Sequence, residues 1–419
     1  MANDNTVVGL DIGTTKVCAV IGESTAEDTV RIIGIGVAPS TGMRKGVVVN
    51  IEATIRAITE AIERAELMAG REVHTCWVSI GGNHIEGINS RGVVAVTGKN
   101  QDDRIIEQED IKRVLESARA VLIPMDRRVL EVIPQSFIVD NQKGIHTPLG
   151  LSGVRLEAEV HIITCSVTSA QNLINCVNRA GVGYKVQNLI LQPLAAGCAV
   201  LDEEEKERGV ILIDLGGGTT DVLLFSKGAA YSTMVIPIGG SMVTSDISKV
   251  KSISFETAER IKVESGSCWE ETPVQTVDIL IPESSGQPSF SIPHAQLTMI
   301  IRARVEELFV MIKEKIDHHA AHSFDSGIVL TGGGANLKGI VELAKYVFDM
   351  PVQIGIPKNT DSIGEEYQNP LYATAIGLVL EGNHREQQDD TDNTVTLSKN
   401  NTRTATVWQK IINWFKEFF

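Results

Sequence analysis

The sequence predicts an α/β protein of two similar lobes, each built on a duplicated mixed-sheet subdomain, with an α+β subdomain inserted into the first. Three observations predict it. Apolar strand segments alternate with segments of helical period along most of the chain. One strand-and-turn pattern occurs twice, as Val7-Val-Gly-Leu-Asp11-Ile-Gly13-Thr14-Thr15 and as Val210-Ile-Leu-Ile-Asp214-Leu-Gly216-Gly217-Gly218-Thr219-Thr220-Asp221, about half the chain apart. Two blocks, 84–163 and 241–319, interrupt the alternation.

Val7–Asp11 and Val17–Ile21 form the first strand pair, and Arg31–Val37 extends the same sheet. From Ile51 to Met68 the apolar positions Ile51, Ile55, Ile58, Ile62 and Ala65 recur at amphipathic-helix spacing. Val73–Ile80 returns to strand character, so 1–83 with 164–201 make the first lobe core. The inserted block sets a helix, Gln108–Val121, among strands Arg91–Thr97, Val129–Val139 and Val154–Cys165. Alternation resumes through Thr168–Ala180 and Val186–Leu201. The second lobe core comprises 202–240, opening on strand Val210–Ile213, and 320–381, with strand Gly327–Leu330, a glycine cluster and helix Tyr372–Leu380. Its small domain, 241–319, carries helices near Glu256–Glu264 and Ala295–Ile316 and short strands near Val274–Leu280. Residues 382–406 are polar, rich in Asn, Gln, Asp and Thr, and are expected to be a disordered linker before a terminal helix, 407–419.

Net charge is −15, from 38 basic and 53 acidic residues, which argues against nucleic-acid binding, since phosphate neutralisation needs clustered Lys and Arg. It also makes any contact with anionic lipid a local affair. The six cysteines show no C-x-x-C spacing and several sit in apolar runs, as reduced thiols of a cytosolic protein do. Met1–Asn5 has no signal-peptide pattern, and no stretch reaches the roughly 18 apolar residues that span a bilayer.

The repeated pattern carries the chemistry. A glycine turn between two strands lets backbone N–H groups approach phosphate oxygens with no Cβ in the way. Gly13 with Thr14 and Thr15, and Gly216, Gly217 and Gly218 with Thr219 and Thr220, supply such turns. Asp11 and Asp214, at the ends of buried strands, suit a magnesium ion that keeps its waters. Lys16 adds a point charge. Either turn alone is equally well an ordinary hairpin. A third cluster, Gly332-Gly333-Gly334 after the strand Gly327–Leu330, completes a set suited to a nucleoside. Two small-residue helices, Gln192–Ala199 and Tyr372–Gly377, permit close crossing at a hinge, or simply tight packing. Other phosphate motifs fail: Gly98-Lys99 is followed by Asn100, and no G-x-G-x-x-G is complete.

In order, these five segments resemble the phosphate-1, connect-1, phosphate-2, adenosine and connect-2 motifs of the actin, sugar-kinase and DnaK-chaperone superfamily. Within it the chain is similar along nearly its whole length to the FtsA family of bacterial cell division. Pro39–Gly46, Ala65–Met68, Pro148–Arg155, Ile238–Gly240 and Val243–Ile247 carry that likeness. The resemblance implies an actin-like ATPase fold with ATP and magnesium as cofactors. It makes Asp11 and Asp214 the magnesium-site aspartates and places Glu259, Lys262 and Gly332–Gly334 at the nucleoside. Gln192 falls where superfamily ATPases position a water, though the family's turnover is weak. It further implies self-assembly into filaments, recruitment of later division proteins, and capture of the FtsZ C-terminal peptide by the 241–319 domain, where Arg302 and Arg304 project from a long helix. A sugar kinase would need a substrate-facing Asp base, and a DnaK chaperone a peptide-binding domain that the residues after connect-2 are too few to form. The pilus-assembly relative shares the insertion but lacks the tail.

That tail is Val407–Phe419. At about 100° per residue, Trp408, Ile411, Ile412, Phe415, Phe418 and Phe419 share one face, opposite Gln409, Lys410, Asn413, Lys416 and Glu417. This suits a helix lying in a membrane interface, here the cytoplasmic face of the bacterial inner membrane; the alternative is a helix docked on protein. The polar linker, reaching a few tens of Å at roughly 5–6 Å times the square root of its length, argues against docking. His318, His319 and His322 have metal-ligand spacing with no supporting carboxylate or thiol and are discounted, as is the charged turn Glu203–Glu205.

Overall fold

The computed structural model describes residues 5–25, 29–97, 104–269, 278–281, 289–318, 323–358 and 364–395. Its first sheet has the order β11-β6-β1-β2-β3. Strands β1 (Thr6–Ile12), β2 (Lys16–Ser24) and β3 (Val30–Pro39) run antiparallel, and a short ribbon follows, β4 (Met43–Arg44) and β5 (Val47–Val48). Helix α1 (Ile51–Ala69) is capped by the Asn50 side chain, which accepts from Ala53 N–H at 3.0 Å, and stops at Gly70 in a left-handed conformation, φ +63°. Its Ile58, Ala61, Ile62 and Ala65 are buried against the sheet, so the apolar stripe faces where its period predicts. Strand β6 (Thr75–Ile80) then returns parallel to β1.

The inserted domain is a four-stranded sheet of order β7-β10-β8-β9, made of β7 (Glu86–Ala95), β8 (Arg127–Val139), β9 (Gln142–Ile145) and β10 (Arg155–Ser166). Helix α2 (Gln108–Arg119) packs on it through Ile111, Val114 and Leu115. Gly92 lets it come close: a Cβ there would lie 2.2 Å from the Val114 carbonyl. The chain re-enters the first lobe through α3 (Val167–Ala180) and β11 (Lys185–Leu191), and β11 pairs parallel to β6.

After α4 (Gln192–Val200) and the short α5 (Glu203–Arg208), the second sheet repeats the first. Strands β12 (Val210–Leu215), β13 (Thr220–Ser226) and β14 (Ala229–Ile236) are antiparallel, and β17 (Ile328–Thr331) and β18 (Val352–Ile354) add on parallel, for an order β14-β13-β12-β17-β18. Three antiparallel strands followed by two parallel ones in both sheets is the duplication that the sequence echo predicts. Between these strands come α6 (Gly240–Lys251), α7 (Phe255–Ser265), the ribbon β15 (Asp278–Ile281) and β16 (Phe290–Pro293), and α8 (His294–Asp317). Helix α9 (Ile340–Phe348) follows a 3₁₀ turn at Gly333–Asn336.

Helix α10 corrects the expected boundary at 382. It runs Ala373–Val395, well into the supposed linker. Arg385 and Glu386 there are held by partners from other elements. Arg385, buried, bonds Glu381 at 2.6 Å and Glu131 of β8 at 3.5 Å. Trp77 of β6 donates its indole N–H to Glu386 at 3.0 Å. Residues 396–419, with the rest of the linker and the whole terminal helix, lie outside the described residues, as do His319 and His322. The Glu203–Glu205 turn is instead the first turn of α5, and Lys206 beside it is tucked over the Phe225 ring, 5.9 Å from its centre.

Candidate functional site

The two glycine turns meet. Each follows a buried strand with an aspartate next to its last residue, and the second turn has no side chains where the threonines of the first approach. A Cβ on Gly217 would lie 2.6 Å from Thr15, and one on Gly218 2.5 Å from the Thr14 hydroxyl. The turns therefore touch across the cleft, and a phosphate chain would be gripped between them only once they part. The second turn is braced by α6, whose Gly240 and Ser241 N–H groups donate to the carbonyls of Gly216 and Gly217 at 2.9 and 2.8 Å.

Asp11 is buried and well held. Its Oδ1 accepts from the Ser79 hydroxyl at 2.8 Å and faces the Gln192 amide at 3.4 Å, and its Oδ2 faces Lys16 Nζ at 3.4 Å. Burial works against the Lys16 ammonium, but Asp11 and its neighbours outweigh it and raise its pKa. Lys16 also lies 5.7 Å from the centre of the Tyr372 ring. Asp214 accepts from the Thr374 hydroxyl at 3.3 Å, and burial, then the charge of Asp11, push its carboxyl up to about 6. Asp221 pairs in register with Asp214 on the adjacent strand. Burial and the charge of Asp214 raise it to about 7, although the Thr219 hydroxyl and the Gly82 N–H both donate to it. One Asp221 oxygen is buried with no hydrogen-bond partner.

The remaining predicted residues gather around this centre. Gly332, at φ +80°, is pressed against Asp214: a Cβ there would sit 2.1 Å from its carboxylate. Gly334 packs on Leu215 in the same way, and Gly333 faces Leu371. Glu259 and Lys262 pair at 2.8 Å, and Lys262 reaches the Gly240 carbonyl at 3.2 Å and Thr244 at 2.9 Å, beside the second turn. Gln192 turns its amide to Asp11 and Ser79 and its carbonyl oxygen against Gly81.

A sequence profile described as Cell division protein FtsA matches residues 211–377, and one described as SHS2 domain inserted in FTSA matches 82–164. The curated Cell division protein FtsA of Borreliella burgdorferi is 43% identical over 420 residues, covering 99% of each chain. The chain belongs to the FtsA family. It is a cell-division protein of actin-like fold. Among solved structures, the PilM-PilN type IV pilus biogenesis complex matches with TM-score 0.63 at 17% identity, over 90% of this chain and 98% of that one. MreB 5 of Spiroplasma citri bound to AMPPNP matches with TM-score 0.53 at 16%, over 94% and 99%. At such identities the likeness is one of fold, and the near-full-length identity to FtsA decides between this family and the pilus relative.

Four residues at the centre of this FtsA-family site were not among the predicted site residues: Ser79, Asp221, Tyr372 and Thr374, the last two within the small-residue helix Tyr372–Gly377. Asp221 closes the second copy of the echo, and its place beside Asp214 was the available sign. Ser79 has none, because its role comes from strand pairing. Arg302 and Arg304 are not the free pair expected on one helix. Arg302 stacks on Trp269, 4.8 Å from the ring centre, and bonds Glu306 at 3.2 Å. Arg304 bonds Asp246 at 2.5 Å, and also Glu307. Two residues apart on α8, they point to different faces. Only Arg304 lines the groove of about 370 Å³ between α6 and α8, with Asp246, Val250, Met299, Ile300, Ala303 and Glu307. Among the described residues no disulfide forms, five of the six cysteines are buried, and no helix is long and apolar enough to cross a membrane.

Proposed function

We propose that this FtsA-family chain binds ATP with magnesium between its lobes and polymerises on the cytoplasmic face of the bacterial inner membrane at the division site. There it ties FtsZ filaments to the membrane and helps recruit later division proteins. The observation that carries the reading is the meeting of two glycine turns over the buried carboxylates Asp11 and Asp214. Burial, and then repulsion by Asp11 on Asp214 and by Asp214 on Asp221, raise Asp214 to about 6 and Asp221 to about 7. A divalent cation relieves that repulsion, so the donor set fits magnesium, held through its waters by Asp11 and Asp214. When bound, the ion neutralises phosphate charge.

The chain's own residues do the rest. The turns Gly13–Lys16 and Gly216–Thr220 cradle the phosphates, and Lys16 adds its charge. Glu259, Lys262 and Gly332–Gly334 flank the nucleoside. Gln192 holds Asp11 and, at most, orients a water for slow hydrolysis. The AMPPNP in the similar MreB 5 structure supports a nucleotide for this fold. The groove with Met299 65% exposed supports a seat for the apolar side chains of an FtsZ C-terminal peptide, and Arg304 at its edge would meet an acidic side chain by exchanging Asp246 or Glu307 for it. Trp408, Ile411, Ile412, Phe415, Phe418 and Phe419 supply the membrane face.

The test is liposome co-sedimentation of FtsZ with magnesium-ATP and either the full chain or a chain ending at Thr406. The full chain is expected to carry FtsZ down and the shortened one to leave it in solution. FtsZ staying in solution with both would overturn the tether.

A further inference from the structure

The inserted domain is joined to the first lobe by the chain itself, and it also touches the second lobe through a polar joint whose central contact, His161 with Thr233, is buried. His161, in the strand β10 and 2% exposed, sits with Nδ1 2.7 Å from Asn89 Oδ1 of β7 and Nε2 2.9 Å from the Thr233 hydroxyl of β14. A neutral imidazole has one donor and one acceptor, and one arrangement serves both contacts: Nδ1–H donates to Asn89, and Nε2 accepts from Thr233. Gln135 of β8 donates to Asn89 at 3.3 Å and to the Tyr231 carbonyl of β14 at 3.1 Å. Gly87 makes the room, since a Cβ there would lie 2.6 Å from the His161 ring. Sliding apolar surfaces costs little, whereas sliding this joint strands buried polar groups.

The joint connects directly to the cleft. β14 is an edge strand paired with β13, with Leu223 opposite Thr233 and Asp221 opposite Val235. Thr233 is thus one rung-pair along the ladder from Asp221, at the foot of the second glycine turn. Moving that turn away from the first lobe moves β14. Then the inserted domain goes with it, or the joint breaks.

We propose that the His161–Thr233 and Gln135–Tyr231 contacts latch the inserted domain to the second lobe, so that parting of the glycine turns swings this domain relative to the first lobe. The state of the cleft is thereby displayed on the inserted domain's outer surface. The proposal rests on the reading of the cleft as an ATP site.

Spin-label distances test it in the full chain, with Cys198, the half-buried thiol, replaced by Ser. One label pair, Leu67→Cys with Val93→Cys, spans first lobe and inserted domain; the other, Val93→Cys with Ile356→Cys, spans inserted domain and second lobe. On adding magnesium-ATP the first distance should change by about 2 Å or more while the second holds. Thr233→Val together with Gln135→Ala, which removes both contacts, should abolish the change in the first distance, and Thr233→Ser alone, which retains the hydroxyl, should keep it. A changed second distance with a constant first would overturn the latch, because the inserted domain would then ride with the first lobe. Calorimetry on the same samples separates the two readings. Bound magnesium-ATP with neither distance changed sinks the latch alone, whereas no binding sinks the ATP reading and the latch together.

Discussion

Asp214 and Asp221 stand opposite one another on β12 and β13, both buried, and one oxygen of Asp221 has no hydrogen-bond partner. Their carboxyls are pushed up to about 6 and about 7, above the ordinary value of 3.8, because burial, and then the charge of Asp11 on Asp214 and of Asp214 on Asp221, disfavour ionisation. The folded chain therefore holds protons that the unfolded chain has already lost between about 4 and about 7. Stability of the nucleotide-free protein from these two groups falls as pH rises through that window, and the cost is complete above about 7. Asp221→Asn removes one of the two charges. At pH 8 it should raise Tm by about 2–4 °C, and at pH 4, where both carboxyls are neutral, the difference should vanish. Scanning calorimetry at the two pH values checks it. An equal shift at both would mean that packing, not charge, sets the cost of this site. The sequence exposed Asp11 and Asp214 because a strand, an acid and a glycine turn recur together. It could not expose Ser79, whose only qualification is to lie beside those acids after folding, and it showed Thr374 only as one small residue of the Tyr372–Gly377 helix.

Between the two sheets, α4 and α10 cross. Gly197 and Gly377 look alike in the sequence, each a glycine in a run of small residues. The crossing separates them. A Cβ on Gly377 would lie 1.8 Å from the Ala195 carbonyl oxygen, a backbone atom that cannot swing aside, whereas one on Gly197 finds nothing nearer than Leu212 at 3.4 Å. Gly377→Ala should cost about 1–3 kcal/mol through overpacking. Gly197→Ala should be neutral or stabilise by up to about 1 kcal/mol, the helix-propensity gain of Ala over Gly. Urea unfolding of both variants decides, and equal effects would show that the crossing yields. Elements with a period of their own were legible: α1, α2, α7 and α8 fall within a few residues of their predicted spans. Helix α6 was not, since it opens on glycine and is rich in Ser and Thr; its start is fixed by the second turn's carbonyls. Edge strand β14 and the 382–395 part of α10 were hidden for the same reason. Arg385 finds Glu131 across some two hundred and fifty positions of sequence, and no local pattern announces such a pair.

Over the whole molecule, a chain of net charge −15 is proposed to sit on an anionic membrane by thirteen terminal residues. The body is repelled there, so the contact must come from the apolar face of the terminal segment and from Lys410 and Lys416. One such helix holds weakly. A filament would lay many of them on one surface, and each contact after the first would form at high effective concentration, so the array would bind far more tightly than its subunit. Assembly and membrane binding are then a single linked equilibrium. With magnesium-ATP, the fraction sedimenting with anionic vesicles should rise steeply over a narrow range of protein concentration. Without nucleotide it should climb gradually and stay lower. Trp408→Ala, which deletes one large apolar contact per subunit, weakens a lone helix by about tenfold or more, and that loss multiplies along a filament, so the steep rise should move to higher concentration well beyond tenfold. Superimposable curves with and without magnesium-ATP would mean that the chains bind lipid one by one, and the filament would have no part in holding the protein to the membrane.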